Sequence, residues 1–148
     1  MVWKLPHILL VPFLILVAQA QSSSRYRELK KVITANVGFA HESQGVNMYT
    51  LVALRGCVSA KDVGVLSQML SDSDVIVKMA SARVLVDLGS TGKAAVQQQI
   101  HKTPNVSDRS ILGEAVKAVA EPTYRPILDY PLTKAERERI RGCSSKSR

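Results

Sequence analysis

Aromatic residues are scarce in this chain, which has one Trp, two Phe and four Tyr among its 148 residues. Aromatic side chains line many cofactor pockets and stack on the bases of bound nucleic acid, so their scarcity counts against both kinds of site. Apolar residues still make up 46% of the chain and charged residues 22%, which is the composition of a folded domain. A chain of this length is expected to form a single domain.

Residue types that serve in catalysis or metal binding are also few. Two cysteines are too few for a disulfide-dense scaffold or a four-cysteine zinc site. Beyond residue 20 the histidines are His41 and His101, and neither has a second metal ligand at helical or turn spacing. The sequence contains neither a Gly-rich phosphate-binding loop nor a Gly-x-Ser-x-Gly motif. We therefore predict no catalytic residue, no cofactor and no metal site.

The N-terminal segment is organised like a secretory signal peptide. Lys4 precedes an apolar run from Leu5 to Ala18, and the small-x-small sequence ends at Ala20. This run of 14 residues is shorter than the roughly 20 that cross a bilayer. We expect cleavage after Ala20, a secreted or periplasmic location, and no transmembrane segment in the mature chain. An uncleaved short anchor is the alternative.

The rest of the chain has helical rather than strand patterns. Ser59 and Asn105 each stand three residues before an aspartate, which is typical of the start of a helix. Gly89 follows an apolar helical pattern and suits a left-handed C-terminal cap. The expected helices span residues 24–36, 46–57, 60–70, 74–88, 92–102, 106–120 and 134–141.

The chain repeats itself at a shift of 31 residues. Four of five aligned columns are apolar throughout, and all five fall on predicted helices. Stacked helix pairs can bury such repeated stripes against their neighbours, whereas one pair alone cannot. The columns are Val46/Val77/Asp108, Leu54/Leu85/Val116, Cys57/Leu88/Val119, Val65/Val96 and Met69/Ile100.

An acidic turn at residues 71–74 is followed by Val77-Lys78, by small residues at Ala80 and Ala82, and by a terminal Leu88-Gly89. This pattern resembles the short HEAT-like repeat of the PBS-lyase type, best over 71–101 and more weakly across 46–121. The resemblance implies an all-α fold, a short right-handed α-solenoid of helical hairpins. An ordinary helical bundle with an accidental period is the alternative.

The regions outside the repeats have their own composition. Residues 21–45 are expected to form an N-terminal helix and linker. The Pro-containing segment 122–132 is too apolar for a free linker, so we expect it to be extended and to cover the last repeat. A capping box at Thr133 and Glu136 opens a short helix in the basic tail, residues 133–148.

The two cysteines allow two interpretations. Cys57 shares a repeat column with Leu88 and Val119, so it can serve as a small buried hydrophobic residue. In an oxidising compartment, Cys57 and Cys143 can instead pair as a disulfide.

Function is expected to lie in binding rather than catalysis. Polar side chains on the second helix of each expected pair have no evident structural role and are candidates for a partner-facing surface, although such a face can also be simply solvated. They are Lys61, Gln68, Lys93, Gln97 and His101, with Ser67 and Gln98 beside them.

The leading hypothesis is an exported, non-catalytic scaffold or adaptor that binds another protein. The resemblance implies a second hypothesis, an accessory subunit of a lyase-type enzyme. A third is a peripheral protein that binds anionic surfaces through the basic tail. Nucleic acid is the least favoured partner, because export separates the chain from most nucleic acid and stacking aromatics are few.

Overall fold

A computed structural model describes residues 10–39 and 46–143, and these two ranges contain α-helices, short 3-10 turns and loops but no strand. The predicted all-α class is therefore confirmed. The 3-10 turns are Val37–Phe39, Ala60–Asp62 and Ile127–Asp129. The α-helices are α1 (Leu10–Asn36), α2 (Met48–Cys57), α3 (Val63–Met69), α4 (Val75–Asp87), α5 (Ser90–Lys102), α6 (Val106–Ala120) and α7 (Lys134–Arg139).

The predicted helix starts are confirmed where a capping residue marks them. Ser59 and Asp62 form a capping box, the Asn105 side chain accepts a hydrogen bond from the Asp108 amide, and Thr133 forms a second box with Glu136. These contacts satisfy amide groups that the first helical turn leaves without a partner. Gly89 has a φ of 107°, a conformation that favours glycine, but its ψ of −158° differs from the predicted left-handed cap, and it stands directly before α5 as its N-cap residue.

Helix α1 begins earlier than the sequence pattern predicted, at Leu10 rather than near residue 24. It is continuous through Ala20, the expected cleavage position. The buried side chains recorded on α1, Leu29, Val32, Ile33 and Asn36, all lie beyond that position. Residues 1–9 of the expected signal peptide and residues 40–45 of the expected linker lie outside the described residues.

The helices pack in two layers. Helices α2, α4 and α6 contact one another in order along one layer, and α1, α3 and α5 do so along the other. Helix α4 contacts all five of these neighbours, as its nearly continuous apolar sequence predicts for a helix enclosed by others. Its Val77, Ala80, Val84 and Leu85 are fully buried.

The first helix pair differs from the expected one. We expected residues 46–57 to pair with 60–70, but α2 packs on α1 and α4 rather than on α3. Helix α1 occupies that position because Leu29 and Ile33 present a fully buried apolar face toward the core. The N-terminal helix is therefore part of the stack rather than a separate element.

Helices α4 and α5 approach closely at one glycine. A methyl group added at Gly92 would stand 1.9 Å from the backbone oxygen of Leu85. Only a residue without a side chain fits at that separation, so Gly92 sets the distance between these two helices.

The C-terminal segment, residues 121–143, follows a different path from the predicted one. We expected residues 122–132 to cover the last repeat, but the turn at Ile127–Asp129 packs on α2, and Ile127 is buried there. Asn36 then exchanges hydrogen bonds with the Arg141 backbone at 2.8 and 3.0 Å. The segment therefore runs back across the layer of α2 and α4 toward the end of α1, because that is where its apolar and polar anchors find partners.

Candidate functional site

The sequence-predicted partner-binding residues all lie on the layer of α1, α3 and α5, or on the turn that precedes α3. Lys61, Gln68, Gln97 and His101 are exposed, and Lys93 is half-buried. Gln68 accepts a hydrogen bond from the Ser22 hydroxyl of α1 at 3.3 Å. No hydrogen bond or ion pair among the described residues joins any two of the five. They form a polar face of the described helices, and none of them lines either of the two grooves described below.

The opposite layer contains a more organised feature on the outward side of α4. Met79, Arg83 and Asp87 follow one another at intervals of four residues, so they lie on one face about 6 Å apart along the helix. All three are partly exposed, whereas the α4 residues between Met79 and Asp87 are buried apart from Arg83 itself. We call these three residues the outer stripe of α4.

The Asp87 end of the outer stripe is occupied by the C-terminal segment. The Asp87 carboxylate accepts hydrogen bonds from the Tyr124 hydroxyl and, at 2.9 Å, from the Ile127 amide. Arg55 of α2 donates to the same carboxylate at 2.7 Å. The Asp87 side chain is only 3% exposed as a result. Here α2 and α4 together bind a turn-containing piece of their own chain.

Burial and the contact with Asp87 raise the pKa of Tyr124 well above its usual value, while the positive charge of Arg83 acts in the opposite direction. A raised pKa keeps the hydroxyl protonated, so it donates to the carboxylate at all ordinary pH values.

The Met79 and Arg83 end of the stripe is open. It forms part of an apolar groove of about 180 Å³ that crosses α2, α4 and α6. This volume is below the roughly 300–1,000 Å³ of typical small-molecule pockets, so the groove suits one or two side chains of a bound chain rather than a cofactor. We call it the open groove; its lining residues are Val46, Met48, Leu51, Met79, Arg83, Ile111, Glu114 and Ala115.

Arg83 is half-buried in the open groove, and within the described part of the chain it makes no hydrogen bond or ion pair. The neighbouring Glu114 bonds instead to Lys117 of its own helix at 2.9 Å. The buried Lys78 is paired with Asp108 at 2.6 Å, and the half-buried Arg55 is paired with Asp87 at 2.7 Å. Within the described part of the chain, Arg83 is therefore a cation in an apolar groove that, unlike Lys78 of the same helix and Arg55 of α2, is not paired with a carboxylate.

Sequence reasoning missed the open groove, although a signal for it was present. Met48 and Met79 are separated by the repeat length of 31 residues, and so are Arg83 and Glu114. The same shift that aligned the core columns thus aligned the half-buried Met48 and Met79, and the half-buried Arg83 with the exposed Glu114, on the outer side of the stack. Methionine is flexible and polarisable, which suits surfaces that adapt to a bound chain.

A second groove lies between α1 and the end of the C-terminal segment. Its volume is about 570 Å³, and Arg27, Lys31 and Arg141 contribute positive charge to it, with Glu28 beside them. Cys143 forms one wall and is joined to Cys57 in a disulfide whose Cα atoms are 5.6 Å apart. Cys57 is half-buried at the end of α2, so it both contacts the core and fixes the C-terminal segment to α2.

Polar contacts also attach α1 to the turn before α4. Burial alone would raise the pKa of Asp72, but hydrogen bonds from Lys30 and Tyr26 lower it below its usual value. Burial and the contact with Asp72 in turn raise the pKa of Tyr26 to about 12. These shifts keep Asp72 ionised and Tyr26 protonated at neutral pH, which favours the contact between α1 and this turn.

Within residues 10–39 and 46–143, no cluster of three or more His, Cys, Asp or Glu side chains is arranged to hold a metal ion. None of the helices in these ranges combines the length and apolar character that a membrane span requires. No protein-family model, curated protein or solved structure matches this chain.

Proposed function

We propose that this chain is an exported, non-catalytic helical-repeat protein that binds another protein and acts as a scaffold or adaptor. In this proposal the helices are HEAT-like hairpins stacked as a short right-handed solenoid. The 31-residue period and the order of contacts within each layer support that arrangement.

The observation that carries the proposal is the C-terminal segment that packs on α2 and α4. The side chains of Tyr124 and Ile127 are held there by a carboxylate and by apolar packing, as those of a bound peptide would be. A bound peptide is likewise held by side chains that fill pockets and by hydrogen bonds to its main chain. The open groove continues the same surface and offers space for a further chain.

Export is supported by two independent features. One is the N-terminal sequence with its small-x-small end at Ala20. The other is the Cys57–Cys143 disulfide, because such bonds persist in oxidising compartments and are rare in reducing ones. The recorded core contacts of α1 come from residues after Ala20, so cleavage there would leave those contacts in the mature chain.

Binding to anionic surfaces is a second candidate function, supported by the groove beside the disulfide. Arg27, Lys31 and Arg141 are exposed around it, and none of them is in an ion pair with another described residue. Such a cluster would attract an anionic surface, and salt would weaken the attraction. Retention of the secreted chain by phosphatidylglycerol vesicles at low salt, with no retention by phosphatidylcholine vesicles, would favour this candidate.

Site-specific photo-crosslinking in the cells that export the chain tests the protein-binding proposal. A photoreactive residue is placed at Met79 in the open groove, at Gln97 on the polar face, or at Val106, which is 71% exposed outside both. We expect a protein adduct at Met79 that is absent at Val106. An adduct at Gln97 would keep the proposal but move the site to the polar face. Absence of any protein adduct at Met79 and Gln97 would overturn it.

A further inference from the structure

Asp87 and Arg83 of the outer stripe have opposite charges, and the C-terminal segment binds to Asp87 but not to Arg83. Asp87 binds the Tyr124 hydroxyl and the Ile127 amide, which are donors of the chain's own C-terminal segment. One turn earlier, Arg83 faces the open groove without an acceptor in the described part of the chain. The site for a bound chain is therefore filled at one end and vacant at the other.

The surroundings of Arg83 specify what would fill the vacant end. A guanidinium group partly removed from water is stabilised most by a carboxylate, which can accept two parallel hydrogen bonds from it. Met48, Met79 and Ile111 line the remaining surface and favour an aliphatic side chain next to that carboxylate. Glu114, the acidic residue of the groove, is turned toward Lys117.

We infer that the open groove binds an extended segment of a partner protein that carries an acidic residue close to an aliphatic one, with the acidic residue paired to Arg83. This inference rests on the proposed protein-binding function and names the chemistry of the partner. The bound segment would continue along the outer stripe from the position of the C-terminal segment. It would leave the polar face of α1, α3 and α5 uncovered.

A displayed library of random twelve-residue peptides, selected on the secreted full chain, tests the inference. We expect the selected peptides to be enriched in Asp or Glu close to Leu, Ile or Val. Selection on Arg83→Glu should enrich Lys or Arg instead, and the acidic peptides should bind that variant about tenfold or more weakly. Lys102→Glu makes the same charge change at an exposed position outside the groove and should leave the acidic preference intact.

Arg83→Gln provides a second variant, since it removes the charge without introducing a buried carboxylate. It should abolish the acidic preference without creating a basic one, and circular dichroism should show unchanged helix content.

Peptides that bind the wild-type chain without acidic enrichment, or that bind Arg83→Glu equally well, would overturn the inference. If such peptides are lost in Lys93→Glu plus Gln97→Ala, the protein-binding proposal survives with the polar face as its site. A library that yields no binder also overturns the inference, and photo-crosslinking then decides the proposed function independently.

Discussion

The stack of α1–α6 and the C-terminal segment are stabilised in different ways. The stack buries a continuous apolar core in which Leu54, Leu66 and Leu85 are fully inaccessible to solvent. The C-terminal segment contributes Ile127 to that core, and its other attachments include Tyr124 on Asp87, Glu136 on Tyr49, Arg141 on Asn36 and the disulfide. The stack thus resembles a receptor, and the segment resembles a ligand that is covalently connected to it.

Truncation in the centre of the stack should have the largest effect on stability. Leu85→Ala removes a side chain with no solvent exposure and leaves a cavity between α4 and its neighbours. We expect the free energy of unfolding to fall by about 2–5 kcal/mol, measured by urea denaturation followed by circular dichroism. A loss below about 0.5 kcal/mol would mean that Leu85 is not in the core.

The close approach of α4 and α5 predicts the next largest effect. Gly92→Ala would push a methyl group into the Leu85 backbone and should cost about 1–3 kcal/mol, even though alanine favours helix formation. Gly113→Ala on α6 is the matched control, because a methyl group there meets no atom within 4 Å. The control should be neutral or stabilise the chain by up to about 1 kcal/mol. Equal effects at both glycines would contradict the observed helix packing.

Substitutions at Tyr124 and Arg83, which belong to the two ends of the outer stripe, should change the free energy of unfolding by less than those at Leu85 and Gly92. Tyr124→Phe removes a hydrogen bond to the Asp87 carboxylate and should cost about 1.5 kcal/mol, at the low end for bonds to charged groups because Tyr124 is partly exposed. Arg83→Gln removes no hydrogen bond or ion pair within the described chain and should change the free energy of unfolding by less than about 0.5 kcal/mol. A larger cost at Arg83 than at Tyr124 would show that Arg83 serves stability rather than binding.

The smallest expected effect is the dependence on pH of the contact between α7 and α2, which helps to attach the C-terminal segment. Hydrogen bonds from Tyr49 and Thr133 lower the pKa of Glu136 to about 2. A depressed folded-state pKa means that the attachment is complete above about pH 4.5, the ordinary value, and is lost as the pH falls toward 2. Nuclear magnetic resonance titration of the Glu136 carboxyl should show this value. Tyr49→Phe should raise it toward 4.5, and an unchanged value would contradict the contact with α2.

Local signals explain which parts of the fold could be predicted from the sequence. Capping residues such as Ser59, Asn105 and Thr133 bond to partners within three residues along the chain, so the sequence alone could predict where these helices begin. The nearly continuous apolar sequence of α4 predicted a helix enclosed by others, and this signal also lies within a single helix. The Pro-containing segment carries no comparable local signal for its partner, which is why its predicted place on the last repeat was wrong.

The candidate site depends on contacts between distant residues. Arg83 became notable only because the structure pairs Lys78 with Asp108 and Arg55 with Asp87 but gives Arg83 no partner in the described chain. No sequence spacing reveals which cation lacks a carboxylate. The sequence-predicted polar residues, from Lys61 to His101, were correctly placed on helices or their first turns, and their role in binding stays a prediction.

Hydrogen exchange of a chain without its disulfide tests most directly whether the C-terminal segment is bound to a self-sufficient stack. In Cys57→Ser plus Cys143→Ser, the attachment of residue 143 to α2 is lost across a separation of 86 residues. We predict that amides of residues 124–143 then exchange faster than in the oxidised wild type, while those of α3–α6 keep their protection. Loss of protection throughout α4–α6 would contradict this account, because it would show that the stack cannot fold unless the C-terminal segment is attached.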